Sequence, residues 1–246
     1  MIKTTADQRR EPKYWALVPA AGTGQRMKIG TPKQYLEIRG KTLIEHTLER
    51  LIEFPLFEKI VVVLRKEDNY RSSLDIFTHE KILLADGGPE RYHSVINGLQ
   101  KINMLAADND WIMVHDAVRP CIRQADLEWL VECVRNHEVG GLLGAMVKDT
   151  IKRTSIDGSI IETVDRSELW HAFTPQMFKR KPLEQALTRV ITDKVSVTDE
   201  ASAMEYSGYH PLMVEGHGDN IKVTQGVDLA LASLYIEQQS KLIESP

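Results

Sequence analysis

Cysteine is scarce in this chain: Cys121 and Cys133 are the only two in 246 residues. Without a second pair they exclude a disulfide framework and a structural zinc site built on paired CxxC ligands. A reducing compartment, the cytosol, is expected. A surplus of positive charge is also missing. Against 35 Asp and Glu stand 31 Lys and Arg, a net charge of −4, so there is no basic footprint for nucleic acid. No run approaches the ~18 apolar residues that span a bilayer, and "MIKTTADQRREPKYWALVPA" has no apolar core ahead of a cleavage site, so no membrane partner is expected. Repeats, low-complexity tracts and linkers are absent too. With 42% hydrophobic residues there is enough for a sizeable core. Residues 1–13 read as a flexible solvated tail and 14–246 as a single domain.

What is present is alternation. "WALVPA", "KIVVVLR", "KILLAD", "DWIMVHDA" and "GLLGAMV" read as buried strands, with amphipathic helical patterns such as "TLIEHTLERLIEF", "RYHSVINGLQKI" and "DLEWLVECV" between them. That order predicts an α/β fold: a mostly parallel sheet with helices on both faces, whose ligands sit beyond the carboxyl ends of the strands. The alternation breaks near residue 147. Around Asp157-Gly158 the chain carries a two-residue hairpin signal, and residues of about 148–168 read as a projecting β-hairpin arm with too little apolar content for its own core. A symmetric dimer that packs or swaps arms would cover it. A hairpin folded back on its own domain is the other reading. Helices "KPLEQALTRVI" and "TDEASAMEYSG", a strand "PLMVEG" and a closing helix "GVDLALASLYIEQQS" follow.

The loop after the first strand, "PAAGTGQRMKIGTPKQY", is placed to hold an anion with backbone N–H groups. It lacks the Gly-Lys-Ser/Thr of a P-loop, and Met27 stands where a dinucleotide fingerprint needs its third glycine, which argues against a kinase or a dehydrogenase. It does offer Arg26 and Lys33, which could neutralise a triphosphate or be solvated surface cations. In "GGPERYHSV", Gly87 and Gly88 permit close approach of a base, with Ser94 at a helix start. An ordinary turn is the alternative. In "VHDAVRP", Asp116 and Arg119 stand at a strand end, where the carboxylate can ligate the Mg²⁺ of a nucleoside triphosphate or form a surface pair. Thr150, Arg166 and Lys222 add phosphate-compatible groups. No acid–base pair emerges, and the histidines, His115 and His171 included, read as structural. A phosphate monoester nucleophile would need no base, only cations, metal and positioning.

Together, "PAAGTGQRM", "PKQY", "GGPERYHSV", "HDAVRP", "TVDR", "TPQ", "TDEASAMEY" and "NIKVT", in this order over about residues 15 to 240, closely resemble the 2-C-methyl-D-erythritol 4-phosphate cytidylyltransferase family of the non-mevalonate isoprenoid pathway. The resemblance implies a Rossmann-like sheet, a homodimer joined through the arm, and Mg²⁺-dependent transfer of CMP from CTP to 2-C-methyl-D-erythritol 4-phosphate. It implies that Arg26 and Lys33 stabilise the transition state, and that Arg166 and Lys222 position the attacking phosphate. Pro19, Ala20, Ala21, Gly22, Gly88 and Ser94 would contact cytidine and ribose. Asp116 would lie near ribose and metal, with the Mg²⁺ held mainly by the CTP phosphates. Arg119, Thr150 and Thr174 complete the expected substrate contacts, with Thr150 and Arg166 acting across the dimer. Pro89 departs from the pattern, having neither N–H nor polar side chain where some members place an acidic ribose contact. The alternatives are a ribitol 5-phosphate cytidylyltransferase, which shares the loop and the TPQ region, and a catalytically silent CTP-binding module.

Overall fold

The Val- and Ile-rich runs become strands because each can bury both faces of its pleat. The computed structural model describes residues 10–22 and 30–244. In chain order the elements are β1 (Tyr14–Pro19), β2 (Glu37–Ile38), β3 (Lys41–Thr42), α1 (Leu43–Glu53), β4 (Phe57–Leu64), β5 (Ile82–Asp86), α2 (Arg91–Lys101), β6 (Trp111–Val114), α3 (Gln124–Val134) and β7 (Gly140–Met146). Then come β8 (Ile151–Thr154), β9 (Ile160–Val164), β10 (Trp170–Lys179), α4 (Arg180–Thr192), α5 (Glu200–Tyr206), β11 (Leu212–Glu215) and α6 (Gly226–Glu244). Seven strands form one sheet in the order β11-β7-β10-β6-β1-β4-β5. All pairings are parallel except those of β10, which runs antiparallel between β6 and β7.

Alternate side chains go to opposite faces. Ala16, Val18, Ile60, Val62 and Leu64 pack with Ile44, Leu48 and Leu51 of α1 and Leu127 and Leu130 of α3. Trp15, Leu17, Val61 and Val63 pack with Val95 and Leu99 of α2, Leu183 and Leu187 of α4, and Met204 of α5. Each fully buried side chain contributes about 1.5–3 kcal/mol, so both layers are held firmly and the loops at the sheet's end can carry function. A third cluster joins Ala232 and Ile236 of α6 to Ile38, Leu43, Val118 and Val223, beside those loops. Helix α1 starts at Leu43 because Thr42 and Glu45 form a reciprocal capping box, worth about 1 kcal/mol.

Two sequence expectations are corrected, and one strand is added that the sequence did not show. Residues 1–9 lie outside the described residues, but 10–13 are no loose tail: buried Asp110 takes Arg10 Nη2 at 2.8 Å, the Lys13 N–H at 3.0 Å and Trp15 Nε1 at 2.9 Å. The hairpin turn has three residues rather than two. The Ser155 N–H donates to Ser159 C=O and the Gly158 N–H to Ser155 C=O, with Gly158 at φ +88°, a conformation that favours glycine. Finally, β10 was not legible as a strand, because Thr174-Pro175 interrupts "WHAFTPQMFK" and shifts its register against β7 between Ala172 and Gln176. The arm, β8 with β9, forms its own two-stranded sheet, largely exposed within one chain.

Candidate active site

The order β5-β4-β1-β6 reverses direction at β1, and a cleft opens beyond the carboxyl ends of these strands, where a topological switch point leaves room for a ligand. Its volume is about 500 Å³, enough for a nucleotide. Pro19 to Gly22 line it from β1, Gly88, Arg91 and Ser94 from the β5–α2 turn, Asp116 from the end of β6, and Lys33 and Lys222 from either side. A smaller cavity of about 160 Å³ adjoins it and shares Arg91, Asp116 and Lys222; Arg119, Thr174, Thr198 and Asp199 line its far side.

The start of the loop after β1 is tied to the turn that follows it. Gln34, buried on the turn Lys33–Tyr35, donates Nε2 to the carbonyls of Ala20 at 2.8 Å and Gly22 at 3.2 Å. Those carbonyls are thereby committed. The β5–α2 turn comes close enough that a Cβ on Gly87 would stand 2.3 Å from that of Ala21, and one on Gly88 2.4 Å from that of His93. Only glycine fits. Gly88 N–H donates to Ser94 Oγ at 3.1 Å, and Ser94 Oγ donates to Glu90 C=O at 3.3 Å, so this hydroxyl also shapes the turn that it lines.

Charge is concentrated on the shared wall. Asp116 Oδ2 lies 2.9 Å from Lys222 Nζ and 3.3 Å from Arg119 Nε, and Oδ1 lies 3.4 Å from Arg91 Nη2. Burial alone would push the Asp116 carboxyl up, but Arg91, Lys222 and Arg119 together hold it well below the usual carboxylate range. The segment bearing Lys222 is pinned to the strand ends: Arg119 Nη1 donates to Asn220 C=O at 2.7 Å, Asn220 Nδ2 to Thr174 C=O at 2.8 Å, and Val223 N–H to Val118 C=O at 2.9 Å.

His115 has no catalytic freedom. Its Nε2 faces the Arg119 carbonyl at 3.1 Å and so carries the proton; Nδ1 then accepts from the Thr174 hydroxyl at 3.1 Å, which in turn accepts the Asp116 N–H at 3.0 Å. The ring orients Thr174. Burial pushes its pKa down from 6.5 to about 4. The unfolded chain therefore binds a proton more readily than the folded one, so stability is full above 6.5 and falls as the pH drops toward 4. The His115 contribution lost over that window is about 3 kcal/mol. Urea midpoints should decline across it, and less steeply in His115→Asn. Equal slopes would remove His115 as the cause.

Of the residues singled out from sequence, Pro19, Ala20, Ala21, Gly22, Lys33, Gly88, Ser94, Asp116 and Lys222 meet at the larger cavity, and Arg119 and Thr174 at the smaller. Arg26 lies outside the described residues. Thr150 and Arg166, exposed at the base of the arm, line neither cavity within one chain. Gln34, Thr198, Glu200 and Asn220 were not singled out; all four lie in motifs quoted above, but nothing local distinguishes a clamp from a surface polar residue.

A doubly covered, mostly parallel sheet with a nucleotide-sized cleft at its switch point and a second, cation-walled cavity beside it defines a nucleotide-handling α/β protein. Residues 14–238 match the IspD family, 2-C-methyl-D-erythritol 4-phosphate cytidylyltransferase. The chain is 50% identical over 226 residues to a protein of that name from Tolumonas auensis, covering 92% of this chain and 97% of the relative. A solved 4-diphosphocytidyl-2C-methyl-D-erythritol synthase is 38% identical with a TM-score of 0.80 over 92% of this chain and 99% of that one. The Francisella tularensis 2-C-methyl-D-erythritol 4-phosphate cytidylyltransferase is 35% identical with a TM-score of 0.79 over 91% and 99%. The chain belongs to this family and is a nucleotidyltransferase with a Rossmann-like fold.

Proposed function

We propose that the protein transfers CMP from CTP to 2-C-methyl-D-erythritol 4-phosphate. The observation that carries this reading is the pair of adjoining cavities with Arg91, Asp116 and Lys222 in common, which suits two phosphorylated ligands meeting at one wall. CTP fits the larger. The acceptor's 4-phosphate, in the smaller, attacks the α-phosphorus in line; a new P–O bond forms, the bond to the β-phosphate oxygen breaks, and pyrophosphate leaves with that electron pair. An acceptor phosphate is already anionic at neutral pH, so the reaction needs no general base, in keeping with the committed, neutral His115. Its obstacle is repulsion between anions. Lys222 and Arg119 hold the acceptor phosphate, and Lys33 faces the triphosphate, a role that the family resemblance also gives to Arg26.

Asp116 is one carboxylate among three cations, and no group of three His, Cys, Asp or Glu able to cage a metal occurs among the described residues. That donor set fits a Mg²⁺ carried mainly by the nucleotide's own phosphates, with Asp116 as its protein carboxylate. When bound, the ion neutralises phosphate charge. A silent CTP-binding module would have no use for the second cavity. The decisive assay is pyrophosphate release with CTP and either methylerythritol phosphate or ribitol 5-phosphate. Release with the latter alone would overturn the acceptor assignment, and binding of CTP without release would overturn catalysis.

The arm supports a homodimer. Ile156, Ile160 and Ile161 are exposed on it within one chain, and Thr150 and Arg166 flank it at a distance from their own cavities. If each arm serves the neighbouring site, Arg166→Ala and Lys33→Ala are each inactive alone, and freely exchanged mixed dimers recover about a quarter of wild-type activity, because half of the dimers contain one intact site. No recovery in verified heterodimers would refute the shared site. No helix among the described residues is long and apolar enough to cross a membrane, and Cys121 and Cys133 are free thiols, which supports a reducing cytoplasm as the site of action.

A further inference from the structure

Glu200, the first residue of α5, lines neither cavity and is fully buried. One carboxylate oxygen receives Arg91 Nη1 at 2.5 Å; the other, Oε2, has no hydrogen-bond partner among the described residues. A buried carboxylate with half of its acceptors unused is expensive, and an apolar or amide side chain of similar size would fill the space more favourably. Burial accordingly pushes its carboxyl up, against the pull of Arg91. Its value must lie in what it does to Arg91. That guanidinium lines both cavities and bridges two carboxylates, with Nη1 on Glu200 and Nη2 at 3.4 Å from Asp116 Oδ1. Lys222 is closer to Asp116, at 2.9 Å. An Arg91 released from Glu200 would have Asp116 as its nearest anion and would fork onto it bidentately, the geometry that guanidinium and carboxylate prefer. Lys222 would then lose its anchor.

We propose that Glu200 is a positioning residue for catalysis: by holding one end of Arg91, it keeps that cation spread along the wall between the two cavities and leaves Asp116 to Lys222. Glu200 thus sets where the acceptor-phosphate cation stands without touching either ligand. The assignment rests on reading the two cavities as nucleotide and acceptor sites.

The test compares wild type, Glu200→Gln, Arg91→Met, the Arg91→Met/Glu200→Gln double variant and an Arg91→Met/Glu200→Met pair by pyrophosphate release from CTP with methylerythritol phosphate, alongside thermal unfolding. Glu200→Gln should keep the wild-type melting temperature within a few degrees yet lose about 100-fold in kcat/KM for the acceptor, the scale of an ångström-level misplacement. Because Glu200 acts only through Arg91, adding Glu200→Gln to Arg91→Met should cost nothing further. A merely structural role would lower the folded fraction and leave the acceptor KM of the remainder unchanged. If Glu200→Gln fails to fold, the Met/Met pair carries the measurement, since it strands no buried charge. It should fold and show the same acceptor defect. Activity of Glu200→Gln or of the Met/Met pair within about threefold of wild type, or losses that multiply in the Arg91→Met/Glu200→Gln variant, would overturn the proposal. A wild type that releases no pyrophosphate overturns the cytidylyl-transfer reading and this inference with it; an active wild type beside equally active variants removes only the role of Glu200.

Discussion

Lys33→Ala should lower kcat by about 10²- to 10³-fold, or about 3–4 kcal/mol of transition-state stabilisation, with little change in the KM for CTP. The reason is preorganisation. Lys33 lines the cleft from a single 3₁₀ turn whose position is fixed on three sides: Gln34 clamps the Ala20 and Gly22 carbonyls, the Tyr35 hydroxyl donates to Asp68 at 2.9 Å, and the Tyr35 ring stacks on Tyr70 at 4.0 Å. A flexible lysine on a rigid base can meet charge that develops on the leaving pyrophosphate without reorganising the loop. Its charge also helps to hold the Asp228 carboxyl low, behind the hydrogen bonds from Thr224 and Gln225. Removing the ammonium should leave fold and ground-state binding largely in place, because Arg91 and Lys222 still line the same cleft. Steady-state kinetics beside a thermal melt checks this. A rise in KM at unchanged kcat would assign Lys33 to ground-state binding instead.

Asp116→Asn should cost about 3–5 kcal/mol of stability and abolish turnover, the stability loss being a large part of what a domain possesses. Asp116 is the carboxylate on which Arg91, Arg119 and Lys222 converge, and two of the four residues, Asp116 and Arg119, are buried. Neutralising it leaves three cations facing one another in a poorly solvated wall. Because the folded-state pKa is depressed below the ordinary 3.8, this contribution is complete above that value and is withdrawn only as the pH falls far below it. Urea midpoints of wild type and variant should therefore differ at neutral pH and still differ near the ordinary carboxylate pKa, converging only in strong acid. Convergence already at mildly acidic pH would show that the three cations do not hold the carboxylate as the geometry requires.

The fold was legible wherever a segment's own pattern sufficed. The apolar runs of β1, β4, β5, β6 and β7 and the amphipathic stripes of α1, α2 and α3 became the elements that their periodicity implied. Strand β10 was not legible: "WHAFTPQMFK" carries a proline at its centre and no clean alternation, and it is a strand because β6 and β7 flank it with free edges. The hairpin was legible at Asp157-Gly158, but its loop length was set by the Ser155–Ser159 pairing, which a dipeptide does not encode.

The site divides in the same way. From the sequence alone came the α/β class, Lys33 beside the end of β1, the acid at the end of β6 and the family to which these motifs belong, because side-chain type and position relative to a strand end are local properties. Only the tertiary structure decided that Gln34 closes on Ala20, that His115 is a neutral prop for Thr174, and that Asp116 answers to an arginine from α2 and a lysine from the loop after β11. Charge pairing depends on distance through space and on how much water is excluded along the way. Neither quantity exists until distant segments of the chain have packed together.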